Sequence, residues 1–311
     1  MGATQADAVP VEVWHLPAAD TAAGRQVLAW TVGPGGGLAV LLGPGREQNG
    51  AGRRPGEPFD AELLTADGRS ERRSPVRRIT VEPDHLALLP GGRLLLASYR
   101  SEENERQGTW APNAAVHTAD GDPAAQFCLG DDVRALTADR AGRIWTVYGD
   151  EGVYGEHRES QDGLAGWNAR GQHVWSPPAR LPERPLEGCA AATDGPRVWL
   201  AWYSDDHRTF LTRIDPGTSG TVSLPSPVHD PMGMAVRGNR AVLAALAPAR
   251  GRRSERPAAV EVCRAELADG SWRVTDRRRL PLPAGLGAPP APGRDGSLWL
   301  RSGATWLCLK A

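Results

Sequence analysis

The chain has 311 residues, 40% of them hydrophobic and 23% charged, with a formal net charge of -1, the composition of a soluble globular protein and not of a disordered tail. No run of about 18 apolar residues occurs, so a helical membrane span and a membrane partner are not expected, and the absence of a basic excess argues against a nucleic-acid scaffold. Lys310 is the only lysine among 36 basic residues, an arginine bias that points to a GC-rich, actinobacterial-type genome and says nothing of mechanism.

In chain order, Met1–Pro10 lacks a basic segment followed by an apolar run, so a cytoplasmic location is expected. From there a Gly-containing turn followed by a short β-prone run recurs. It reads GGLAV from Gly36, GRLLL from Gly92, GRIWT from Gly142, PRVWL from Pro196, NRAVL from Asn239 and GSLWL from Gly296. The fourth positions, Ala39, Leu95, Trp145, Trp199, Val242 and Trp299, are separated by 56, 50, 54, 43 and 57 residues, and the step from Trp299 through both termini back to Ala39 is 51. The wrap-around step therefore equals one more repeat, which a linear stack does not require.

Four strands fit each step. In the third copy they are Val133–Thr137, Ile144–Tyr148, Leu164–Asn168 and His173–Trp175, with turns at Asp139–Gly142 and Ala169–Gly171. Short strands with Gly/Asp turns at this period are the pattern of propeller blades. Trp306–Leu309 would be the third strand of the last blade and Val11–His15 its fourth, which removes open sheet edges. The expected architecture is all-β: a single domain over residues 1–311, a six-bladed β-propeller closed by pairing N-terminal and C-terminal strands, and monomeric. Trp145, Trp199 and Trp299 are expected between sheets as core. Cys128, Cys189, Cys263 and Cys308 lie far apart, each in a predicted strand, and are expected as buried reduced thiols, not a disulfide framework or zinc site.

The stretch VRALTADRAGRIWTVYGDEGV, Val133 to Val153, and SLWL, Ser297 to Leu300, resemble the blade repeat of bacterial sensor-kinase regulator propellers. They are similar more loosely to blades of gluconolactonase-like and strictosidine-synthase-like propellers.

The turns between first and second and between third and fourth strands are tight, whereas the second-to-third connections are long and polar. These are Gly43–Pro58, Arg100–Pro112, Gly149–Gly163, Ser204–Thr209 and Pro248–Pro257. Function is therefore expected on the face that carries them. Three of them repeat a tyrosine followed by acids: Tyr99, Glu102 and Glu103; Tyr148, Asp150 and Glu151; Tyr203, Asp205 and Asp206, with His207 beside the last and Tyr154 nearby. These residues would form an acidic, tyrosine-rimmed half able to bind a protein or a small polar or cationic ligand. Arg46, Arg53, Arg54, Arg250, Arg252, Arg253 and Arg256 would make the opposite half basic. The competing reading of each stretch is a solvated turn.

No P-loop, HExxH, GxSxG or EF-hand spacing is present. The alternative to a binding module is an enzyme at the channel mouth, either a divalent-cation hydrolase or a metal-free biosynthetic catalyst. For a Ca, Mg, Mn or Zn ion the expected ligands are His85, Asp132, Glu187 and His229, with Glu187 or Asp230 as the catalytic acid or base. Leu186-Glu187-Gly188-Cys189 resembles the Glu-Gly that begins a metal-bearing strand in gluconolactonase-like propellers, and the resemblance implies lactonase-like chemistry there.

Overall fold

The computed structural model describes residues 11–45, 56–67, 70–104, 106–247, 259–281 and 291–311. It is all-β, with 57% strand and 5% helix, and falls into two compact units: Leu16–Pro177, and Pro178–Ala311 together with the stretch up to His15.

Strand β1 (Val11–His15) belongs to the second unit. The first unit starts with a short helix, α1 (Ala18–Ala22), and contains three four-stranded antiparallel sheets. The first sheet runs β2 (Arg25–Val32), β3 (Leu38–Pro44), β4 (Phe59–Ala66), β5 (Glu71–Ile79). The next has β6 (His85–Leu88) and β7 (Leu94–Ala97), then a small hairpin of β8 (Glu103–Asn104) and β9 (Thr109–Trp110), and is completed by β10 (Ala114–His117) and β11 (Pro123–Phe127). The last comprises β12 (Val133–Ala138), β13 (Ile144–Tyr148), β14 (Leu164–Trp167) and β15 (His173–Trp175), with the helical turn α2 (Asp150–Val153) after β13.

The second unit continues with β16 (Pro185–Asp194), β17 (Arg197–Ser204), β18 (Thr209–Asp215) and β19 (Gly220–Pro225). A four-stranded sheet follows: β20 (Gly233–Arg237), β21 (Arg240–Leu246), β22 (Ala259–Ala268), β23 (Ser271–Pro281). Finally β24 (Gly293–Arg294), β25 (Ser297–Ser302) and β26 (Thr305–Lys310) pair in order, and β1 adds antiparallel to β26 with Val11 opposite Cys308 and His15 opposite Thr305. A two-residue parallel pairing of Ala192–Thr193 with Gly293–Arg294 joins this array to β16–β19 as one eight-stranded sheet. The repeat pattern did not anticipate that parallel link.

Burial explains why the repeat is legible. The second strand of each meander, β3, β7, β13, β17, β21 or β25, is covered on both faces over most of its length. It therefore reads as a continuous apolar run, whereas fourth strands such as β11 and β19 alternate because one face meets solvent. All six fourth positions of the repeat are buried. Trp145 lies edge-on to Trp175 at 5.4 Å and Trp199 edge-on to Trp272 at 5.7 Å. Burying a side chain of this size contributes roughly 2–3 kcal/mol.

The turn between β12 and β13 shows how the AD-x-AG-R-I-W sequence works. Asp139 accepts at Oδ1 from the backbone N–H groups of Ala141 (2.9 Å) and Arg143 (3.0 Å), and at Oδ2 from Arg143 Nε (2.7 Å) and Trp145 Nε1 (3.2 Å). One buried carboxylate thus fixes both the reversal and the tryptophan rotamer. At Gly121, φ is +83° and a Cβ would strike the Pro75 carbonyl, so only glycine fits this close approach of two sheets.

Three of the cysteines, Cys189, Cys263 and Cys308, are buried in strands. Cys128 departs from the sequence expectation. It is half-buried and lies just past the end of β11, where the chain turns toward β12 through Gly130 at φ +95°.

Replacement Asp139→Ala is expected to cost about 3 kcal/mol, because it strands a buried indole N–H and two turn amides. Urea unfolding of the variant beside Asp120→Ala, at an exposed turn acid, checks this; equal losses would refute the assignment.

Candidate functional site

In the first unit, the segment leading into β12 forms the centre of a bonded network. The Asn113 carboxamide accepts from Leu129 N–H (2.8 Å) and donates to the Gly130 carbonyl (2.7 Å), and Asp131 N–H donates to Ser160 Oγ (2.8 Å). The Asp131 carboxylate accepts from Ser101 N–H (2.9 Å) and takes a two-point contact from Arg100, Nε at 3.0 Å and Nη2 at 2.9 Å. The same guanidinium pairs with Glu151 on α2. The β8–β9 hairpin is tied at its base by Ser98 N–H to Asn113 carbonyl (2.8 Å) and Ala111 N–H to Glu102 carbonyl (2.8 Å). The connections that follow β7 and β13 are therefore held by hydrogen bonds, whereas much of Gly43–Pro58 lies outside the described residues.

Expected site residues take distinct places in that frame. Glu102 and Glu103 are exposed on the hairpin, and Asp150 and Glu151 are exposed on α2. Tyr99 is half-buried, with its N–H donating to Asp84 Oδ2 (3.0 Å) and its ring edge-on to His85 at 4.8 Å. Burial, with help from Asp84, pushes its phenol pKa up. Tyr148 corrects the sequence reading: it is fully buried, not a rim residue. Its hydroxyl donates to the Leu129 carbonyl (2.7 Å) and accepts from Thr146 Oγ1 (2.8 Å) and Trp167 Nε1 (3.1 Å). A tyrosine closing a strand can be drawn inward when buried partners satisfy its hydroxyl.

The acidic character is also corrected. Arg100 holds Asp131 and Glu151, while Arg134 Nε lies 3.0 Å from Asp132 Oδ1 and its Nη2 lies 3.8 Å from Asp150. Asp150 and Glu151 are thus compensated, whereas Glu102 and Glu103 make no ion pair among the described residues. The expected basic residues Arg46, Arg53, Arg54, Arg250, Arg252, Arg253 and Arg256 lie outside the described residues.

In the second unit, Ser204–Thr209 is a tight reversal, not a long loop. Ser204 N–H donates to the Arg208 carbonyl (3.0 Å), and His207 sits at φ +56°. Asp205, Asp206 and His207 are exposed, and Arg208 pairs with Glu183 and lies 3.8 Å from Asp206. Tyr203 stands opposite Glu187 in the β16/β17 register and its ring is 5.7 Å from that of His229. Thr209 Oγ1 is 3.1 Å from His229 Nδ1 and accepts from Asp230 N–H (3.2 Å). Burial, reinforced by Asp230, drives the Cys189 thiol well above its ordinary range. Glu187, Tyr203, His229, Asp230 and Cys189 therefore gather at one end of β16 and β17.

No family model matches the sequence, and no curated protein matches it. Among solved structures, the chain is similar to the Neurospora crassa Pan2 WD40 domain, with 13% identity, a TM-score of 0.49, and coverage of 94% of this chain and 79% of that one. It is also similar to the WD40 repeats of RRP9, with 10% identity, a TM-score of 0.49, and coverage of 96% and 99%.

The four expected cation ligands divide between the units, His85 and Asp132 in one, Glu187 and His229 in the other. Among the described residues no three His, Cys, Asp or Glu side chains are arranged to hold a metal ion. His85 Nε2–H donates to the Val133 carbonyl (2.8 Å), and Asp132 Oδ1 lies 3.0 Å from Arg134 Nε. Burial raises the Asp132 pKa, with Arg134 opposing.

Burial also pushes His85 down to about 4 from 6.5, so the folded protein holds it neutral while the unfolded chain binds a proton below about 6.5. Its contribution is full above the unfolded value and falls away as pH drops toward 4, by roughly 3 kcal/mol in all. In a His85→Asn variant this component should vanish. Comparing urea midpoints of the two proteins at about pH 7 and pH 4.5 should show their stability gap shrinking in acid; a constant gap would contradict it.

Proposed function

We propose that the chain is a six-bladed β-propeller that binds a protein partner of basic surface through the face bearing its long connections. Several features support the propeller reading. Each repeat of the sequence corresponds to one four-stranded meander, the second strand of each is buried on both sides, and β1 supplies the fourth strand beside β24–β26. Repeated sheets of this form are the units that propellers arrange radially.

The observation that carries the binding reading is the bracing of the connections after β7 and β13 by Arg100, through Asp131 and Glu151. A surface fixed before binding loses little conformational freedom when a partner docks. On that fixed surface the exposed groups include Glu102 and Glu103, which make no ion pair among the described residues, and Tyr154, 61% exposed beside α2. Tyrosine is enriched at interface centres, and opposite charge across an interface steers association and sets register. In the second unit Tyr203, Asp205, Asp206 and His207 repeat the combination of a half-buried ring with exposed acids.

Reversing Glu102 and Glu103 to Lys, together with Tyr154→Ala, leaves the Arg100 contacts in place. The triple variant should melt within about 2 °C of the parent while partner capture falls by on the order of tenfold or more. Capture by the parent should weaken as salt rises. Capture from a lysate of the source cells on immobilised parent and variant, quantified by mass spectrometry, is the test; an unchanged retained set would remove this face from consideration.

A further inference from the structure

We propose that Cys128, His157 and Glu159 form a reactive-thiol site at which Cys128 undergoes exchange with small disulfides, a reaction separate from partner binding. The Cys128 sulfur lies 3.4 Å from His157 Nε2. On the other side of the imidazole, Nδ1 faces Glu159 Oε2 at 3.5 Å and Ser160 Oγ at 3.4 Å. A carboxylate beside Nδ1 favours the tautomer protonated there, which leaves the Nε2 lone pair directed at the thiol. Nucleophile, base and orienting acid thus stand in sequence, the arrangement that activates a side-chain nucleophile.

Three further features bear on what reacts. Cys128 is half-buried, while His157 is buried under the edge of Trp110, 5.1 Å away, so a small reagent can reach the sulfur while the base is shielded from water. Gly130 N–H donates to the sulfur itself (3.3 Å), which favours charge that develops on sulfur. Disulfide exchange keeps its charge on a line of three sulfurs and fits this donor; acyl transfer places it on oxygen. Burial pushes the Cys128 thiol up and the imidazole down, although Glu159 and Asp131 pull His157 back up and His173 opposes them. The resting pair is therefore neutral, and the proton moves during attack.

The step balances. As Cys128 Sγ attacks one sulfur of R–S–S–R, its proton passes to His157 Nε2 and the Cys128 S–S bond forms. The R–S–S–R bond breaks, and the leaving thiolate takes the proton back from His157 as RSH. The disulfide is the oxidant, consumed one per thiol, and the product is a mixed disulfide on Cys128.

Folded protein is treated with dithiobis(nitrobenzoate), and separately with oxidised glutathione followed by peptide mass spectrometry. One fast thiol is expected, absent in Cys128→Ser, with the glutathione adduct on the Cys128 peptide. In the parent, the rate should stay level from about pH 7 to 8.5, because the neutral base is already present above its depressed pKa; a thiol without base assistance speeds up nearly tenfold per pH unit there. His157→Gln should slow the reaction at about pH 7 by at least tenfold and restore that climb, and Glu159→Gln, at a partly exposed position, should slow it severalfold. A parent profile that climbs with pH, a label on another cysteine, or no thiol reacting before unfolding would overturn the proposal. The parent measurements decide it even where His157→Gln fails to fold.

Discussion

The short segment from Cys128 to Val133 is the constraint on which the described surface of the first unit depends. Within six residues it gives its amides, carbonyls and one carboxylate to Asn113, Ser160, Tyr148, Ser101, Arg100 and Tyr99. A buried lead-in of this kind must find partners for the polar groups it carries, and it finds most of them by recruiting both flanking connections, Asp132 Oδ2 being left without a hydrogen bond. Its own backbone is unusual: Gly130 and Asp132 both take positive φ. The turn geometry, the loop order and the placement of the Cys128 sulfur beside His157 follow from one set of bonds.

That constraint also sets the electrostatics. Asp131 is buried, and an unpaired carboxylate there would be costly, so Arg100 is drawn over it and reaches on to Glu151. Part of the charge that the sequence displays in these connections is therefore spent within the structure, on Asp131 and Glu151. Exposure of Arg100 tempers the worth of its contacts in free energy, but their number and two-point geometry fix position.

Legibility follows the range of the interactions. The Gly/Asp turns and the buried second strands are local, and Ile144–Tyr148, His173–Trp175 and Val11–His15 are readable to the residue because turn chemistry and period agree there. Arg100 meets Asp131 across 31 residues and Cys128 meets His157 across 29; a single sequence holds no signal for such pairings. Tyr148 looked like a rim residue because it ends a strand, yet the fate of its hydroxyl depends on Leu129, Thr146 and Trp167, which only the folded chain brings together. The parallel link of β24 to β16 belongs to the same class, since two residues of strand carry no periodicity.

The pairing of β1 with β26 has a consequence for synthesis. Val11 waits for Cys308, so as the chain leaves the ribosome β1 has no mate until β26 has emerged. Closing so long a loop costs entropy before any contact repays it, which makes this junction the last to zip and the first to fray. In the interval, β26 and the strand meant for it are a waiting edge, open to capture by another copy of the same chain.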